Sequence, residues 1–203
     1  TLRALASFRD SAFTARVAPL ANDPDVGVAV QAETPLGALG GADGLNINVG
    51  TIAVTTTTGG YPITVTDSGL NGSTTYSNVT TGSPGDITIT QELGDLLVGT
   101  ISTSDNVTLT ALAGSINDDV NDNVVDITGN AVSLTAEAAG QGIGTANGSL
   151  DISATTLTYS MDTGGVNLSN TGLLTLNTTT FAADTPVNFS STAGIIVAGN
   201  QTH

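Results

Sequence analysis

The chain has no cysteine, no tryptophan and no lysine, and its three arginines, Arg3, Arg9 and Arg16, all lie near its start. Without cysteine there is no disulfide framework and no thiolate metal or redox site. Without lysine there is no Schiff base and no phosphate-binding P-loop. Aromatic residues make up 3% of the 203 residues and charged residues 10%. The 18 acids against three bases give a formal charge of −15. That sign repels phosphate backbones and anionic lipid, so nucleic-acid and membrane-surface partners are not expected. No apolar run approaches the ~18 residues of a membrane span. The first residues lack the basic head and apolar core of a secretion signal. A processed chain, or one cut from something longer, is expected.

What is present falls into two zones. Residues 1–43 hold the arginines and three of the six prolines. Leu5, Phe8, Ala12 and Ala15 approximate helical spacing over residues 2–16. Val26, Val28 and Val30 alternate as a strand does, and GALGGADG from Gly37 to Gly44 reads as a joint. This atypical segment is expected to be a cap, a linker or a subunit-contact arm. Residues 44–203 are rich in Thr, Asn, Gly, Ser and branched aliphatics, and read as one repeat domain.

Short alternating runs recur there: Ile63-Thr-Val-Thr66, Asp86-Ile-Thr-Ile-Thr90, Asn106-Val-Thr-Leu-Thr110 and Ala131-Val-Ser-Leu-Thr135, then Ser149-Leu-Asp-Ile-Ser153, Val166-Asn-Leu-Ser169 and Val187-Asn-Phe-Ser190. From Ile47 through Val65, Ile89, Leu109, Leu134, Ile152 and Leu168 to Phe189 is 142 residues in seven intervals, about 20 each. A weaker set lies between: Ile52 to Val54, Leu96 to Val98, Ile143, Leu157 to Tyr159, Leu173 to Leu176 and Ile195 to Val197. Gly, Asn, Asp and Ser separate the runs as turn formers. A fixed period with several short strands per repeat predicts an all-β solenoid, a parallel β-helix. Aliphatics point inward, hydroxyls outward, and stacked Asn at the corners (Asn106, Asn130, Asn170, Asn188) form amide ladders. Tandem Ig-like β-sandwiches are the alternative fold. The shortage of aromatic residues argues against their wider cores.

The stretch from Asn106 to Asn177 carries V-x-L-T-A, G-S-I, G-I-G-T, L-x-I and G-G-V-x-L. In this it resembles the repeat regions of filamentous-haemagglutinin-like and autotransporter-like bacterial adhesins. The resemblance covers about 150 residues and is one of repeat style. It implies a right-handed β-helix, export, and an adhesive or structural fibre in the extracellular space or on the cell surface. The expected partners are a surface glycan or protein of a host or neighbouring cell or, because a solenoid has open strand edges at its ends, further copies of the chain end to end. It transfers no binding residue.

No catalytic site is expected. The sole histidine is His203, and residues 17–203 carry no base to meet an acidic polysaccharide. A two-carboxylate glycosidase using Asp118 and Asp119, with Asp151 and Asp162 on other coils, is the enzymatic alternative, alongside a purely carbohydrate-binding β-helix. The segment from Asn117 to Asp126 is the most acidic and stretches its interval to 25 residues, which predicts a loop bulging from the wall. Asp118, Asp119 and Asp122 are its candidate calcium ligands. Val124 stands where an EF-hand has Gly, and Asn130 where it has Glu. No other cofactor is implied, and Gly140-Gln-Gly-Ile-Gly144 reads as a turn.

The pairs Thr64/Thr66, Thr88/Thr90, Thr108/Thr110 and Ser133/Thr135 should project outward on successive coils. Such a flat hydroxyl array resembles the ice-binding face of some antifreeze proteins. In the sequence the array decays to Asp151/Ser153, Asn167/Ser169 and Asn188/Ser190. Threonine also simply suits an exposed β surface.

Overall fold

A computed structural model describes residues 50–202 apart from 57–60, 70–71, 83, 146–147 and 182–184, together with the backbone of two earlier strands. The helix expected over residues 2–16, the glycine-rich joint and His203 lie outside the described residues. The described chain is all-β and winds as a parallel β-solenoid of about six turns.

Apart from the strands of the first and last described coils, each strand bonds to strands one turn before and one turn after, and the pairing is parallel and long-range. One continuous wall is made of β2 (Leu45–Ile47), β4 (Ile63–Asp67), β6 (Ile87–Gln91), β9 (Asn106–Ala111), the second half of β11 (Ile127–Ala136) and the second half of β12 (Leu150–Met161). It continues into β14 (Leu174–Thr180), β16 (Ile195–Val197) and β17 (Gln201–Thr202). The opposing walls comprise β1 (Val28–Ala32), β3 (Thr51–Thr56), β5 (Thr74–Thr81), β7 (Leu96–Val98), β8 (Ile101–Ser102), β10 (Ile116–Asp118), the first halves of β11 and β12, β13 (Val166–Asn170) and β15 (Val187–Ser191). The alternation at Val28 and Val30 is met by β1, which pairs in parallel with β3.

The register Ile63–Ile87–Val107–Val132–Leu157–Leu176–Val197 spans 134 residues in six steps, about 22 each. The spacing read from the sequence is shorter because that count changes walls after Leu134. The residue stacked on Leu134 is Tyr159, whereas Ile152 stacks on Ile127 in another wall. Every wall obeys the same two-residue alternation, so the pattern alone does not say to which wall a strand belongs.

The interior is a set of aliphatic ladders. Val65, Ile89, Leu109 and Leu134 stack in register, each at most 1% exposed. Burying each such side chain stabilises the coil by roughly 1.5–3 kcal/mol. Further along the rod the core takes in Tyr159, whose ring lies 6.1 Å from that of Phe181 and 5.4 Å from that of Phe189. Of the four corner asparagines, Asn188 makes an amide ladder step, donating through Nδ2 to Asn167 Oδ1 at 2.8 Å. Asn106 donates to Asp86 Oδ1 one turn away. Asn170 turns inward, accepting from the Ala154 N–H at 3.0 Å and donating to the Gly172 carbonyl at 3.1 Å. Asn130 meets its neighbour through the backbone, donating N–H to the Asp105 carbonyl.

Candidate functional site

The acidic corner begins where β10 ends. One turn earlier, β7 passes into β8 through Gly99 and Thr100 alone. Here the same step takes residues 119–126, and β11 then resumes the register with Ile127 on Ile101. The expected bulge is therefore present. Its turns are closed by its own acids: Asp118 Oδ1 accepts the Val120 N–H at 3.0 Å, and Asp122 Oδ1 accepts the Val124 N–H at 2.8 Å. Asn123, at φ +59°, is the non-glycine residue in the left-handed region among the described residues, a conformation asparagine tolerates.

The three candidate ligands have different fates. Asp118 stacks on Val98, points inward and is 1% exposed. Asp119 is half-buried at the mouth of the loop, and Asp122 is exposed. No three Asp, Glu or His side chains among the described residues are arranged to hold a metal ion. The residue that sequence reasoning passed over is Asp126. It is 3% exposed, and its Oδ2 accepts the Asp151 N–H at 2.8 Å. Nothing in the residue pattern distinguishes it from the solvated acids before it, because its burial follows from where the loop rejoins the wall.

Burial raises the carboxyl of Asp118, and the charges of Asp119, Asp122 and Asp151 add to this against the opposing Val120 hydrogen bond. Burial likewise pushes Asp126 up to about 8, helped by Asp118, Asp151 and Asp122 and opposed by the Asp151 N–H. Residues 17–203 contain no Lys or Arg, so no cation from the repeat compensates these acids, and the protonated form is the cheaper one to bury. A carboxyl held neutral near pH 7 has the chemistry of a general acid. Both raised groups, however, sit inside the wall, out of reach of a polymeric substrate. Asp151 is half-buried on β12, and Asp162 is exposed just beyond that strand.

A second buried polar cluster lies between β4 and β7. Asp67 and Gln91 occupy the inward positions that continue the Ile63/Val65 and Ile87/Ile89 alternation, and both are fully buried. Thr74 Oγ1 donates to Asp67 Oδ2, and the Tyr76 hydroxyl donates to Gln91 Oε1 at 2.9 Å. Gln91 Nε2 in turn donates to the Leu93 carbonyl at 2.7 Å and to Thr74 Oγ1 at 3.3 Å. Burial, and then the charge of Asp67, raises the Tyr76 phenol well above its ordinary value. The network spans adjacent coils, so it is satisfied in one register alone.

Comparison with protein-family models, with curated proteins and with solved structures gives no match.

Proposed function

We propose that the chain is a passive structural and adhesive segment of an extracellular bacterial surface protein or fibre, acting as a rigid spacer and contact surface and not as a catalyst. The observation that carries this reading is the parallel coil-on-coil pairing of the long wall from Leu45 to Val197, in register except for one shift between Leu157 and Tyr159. A coil that repeats with its hydrogen bonds passed to the next coil extends indefinitely without a new core, which suits a long fibre. The exterior, polar and acidic with no lysine, suits a surface that stays soluble and meets partners through hydroxyls and amides. The adhesin-like repeat motifs support export and a receptor that is a glycan or protein on a neighbouring cell. The two raised carboxyl groups stabilise or loosen a coil and act on no substrate.

Electron microscopy of the purified chain, with cell-binding and glycan-array assays, tests the reading. Narrow rods that bind cells or glycans without cleaving them are expected. Glycan turnover in a reducing-sugar assay, lost on replacing Asp118 and Asp119 by Asn, would overturn it.

A further inference from the structure

The register extends the hydroxyl array beyond what the sequence suggests. Thr64, Thr88, Thr108, Ser133 and Thr158 form one outward column, and Thr66, Thr90, Thr110, Thr135 and Ser160 form a second beside it. The second column runs on to Thr180 and Thr202. The positions at which the sequence made the array decay belong to other walls: Asp151 stacks on Ser169, and Asn167 on Asn188. The array therefore holds ten hydroxyls over five consecutive coils, eight of them from threonine.

Four properties characterise this face. Its spacing is regular, about 4.8 Å between coils and about 6.7 Å between alternate residues along a strand. Neither column contains a charged side chain, in a chain whose formal charge is −15. Behind the hydroxyls, Val65, Ile89, Leu109, Leu134 and Tyr159 are packed at 0–2% exposure, so the lattice is held from within. Finally, none of the ten hydroxyls bonds to another described group. Some hydroxyls elsewhere do: Thr80 Oγ1 donates to Thr55 Oγ1 at 3.3 Å, Thr103 Oγ1 to the Gly85 carbonyl at 2.7 Å and Ser115 Oγ to Gln141 Oε1 at 2.8 Å.

We propose that this face binds ice, its unspent hydroxyls and threonine methyl groups ordering water into rows continuous with the crystal surface. A neutral, rigid, periodic lattice of donors and acceptors complements a neutral periodic solid. Each hydroxyl–water contact is weak, but the positions are fixed in advance, which lowers the ordering cost of the whole set. Crystalline polysaccharide, the other flat periodic ligand, fits less well. Its sugar rings are gripped by aromatic faces, and neither column holds an aromatic residue, the adjacent Tyr159 pointing inward. The inference needs the solenoid scaffold but not the adhesive role, so the two stand or fall separately.

The test is thermal hysteresis by nanolitre osmometry, with ice-crystal shaping and partition of fluorescently labelled protein into a growing ice front. The wild-type chain is expected to open a hysteresis gap, facet the crystals and enter the ice. Thr108→Tyr and Thr110→Lys, each placing a bulky or charged group at the centre of the face, should shrink the gap at least five-fold with unchanged circular dichroism. Ser153→Tyr, outward in another wall, should leave it unchanged. Folded wild-type protein with no gap and no partition into ice overturns the proposal, as does a gap insensitive to both central variants. Retention on microcrystalline cellulose or chitin with no effect on ice overturns it in favour of a glycan. Rods that bind cells but not ice would leave the adhesive reading intact.

Discussion

Asp126 shows how one residue couples this rod to pH. Its carboxyl is raised from an ordinary aspartate value of 3.8 to about 8, so between those values the folded chain holds a proton that the unfolded chain has lost. The stabilisation is complete below about pH 4 and is lost as pH rises toward 8, at up to ~1.4 kcal/mol per unit. Asp118 shifts in the same direction. Asp126→Asn keeps an oxygen to accept the Asp151 N–H and carries no charge. Thermal unfolding followed from pH 4 to 9 should therefore show a shallower decline in the variant and a higher melting temperature than wild type at pH 8. Equal slopes would mean that the carboxyl is not buried as described. The ladders make a second residue-scale prediction. Leu109→Ala should cost about 2–5 kcal/mol of unfolding free energy in denaturant titration, because coils held above and below cannot collapse onto the cavity. The half-exposed Thr108 beside it should tolerate alanine within about 0.5 kcal/mol.

At the scale of elements, the strands depend on turns that bring successive coils into contact. A Cβ on Gly114 would lie 2.0 Å from the Gly94 carbonyl oxygen one turn below, and Gly94 itself is at φ +73°. The obstacle is backbone, so it cannot swing aside. Gly114→Ala should lower the melting temperature and leave any soluble fraction with disturbed pairing of β7 and β10, read as lost amide protection at Leu96 to Val98. The corner that separates β8 from β9 at Thr103 to Asp105 is crossed without a break by β11, through Gly129 and Asn130. At the acidic loop a turn has grown instead of tightening, and its growth put Asp126 at the point of re-entry.

For the whole molecule, stability should be graded along the axis. β6, β9 and β11 are each paired on both sides, whereas among the described residues β15, β16 and β17 pair on one side and leave Ile195, Ile196 and Val197 39–61% exposed. Hydrogen exchange should be slowest in β9 and fastest in β15–β17, with protection falling coil by coil between them. Uniform protection would indicate a single closed core of another kind.

Much of this was legible in the residues. Alternation of β-branched residues with hydroxyls, the near-regular period and the lack of large aromatics specify a thin coil, because a narrow stacked core needs medium side chains on one parity and polar ones on the other. Val65, Ile89, Leu109 and Leu134 read correctly as one ladder, and the acidic segment as a bulge. What composition and spacing left open is which wall each strand joins. Ile152 and Tyr159 carry equally good alternation, and only the register of β12 on β11 decides between them. That register, fixed by hydrogen bonds between residues some 22 apart, buries Asp126, turns Asp118 inward and lines up Thr158 and Ser160 behind Ser133 and Thr135. These contacts join positions distant along the chain, so no local pattern encodes them.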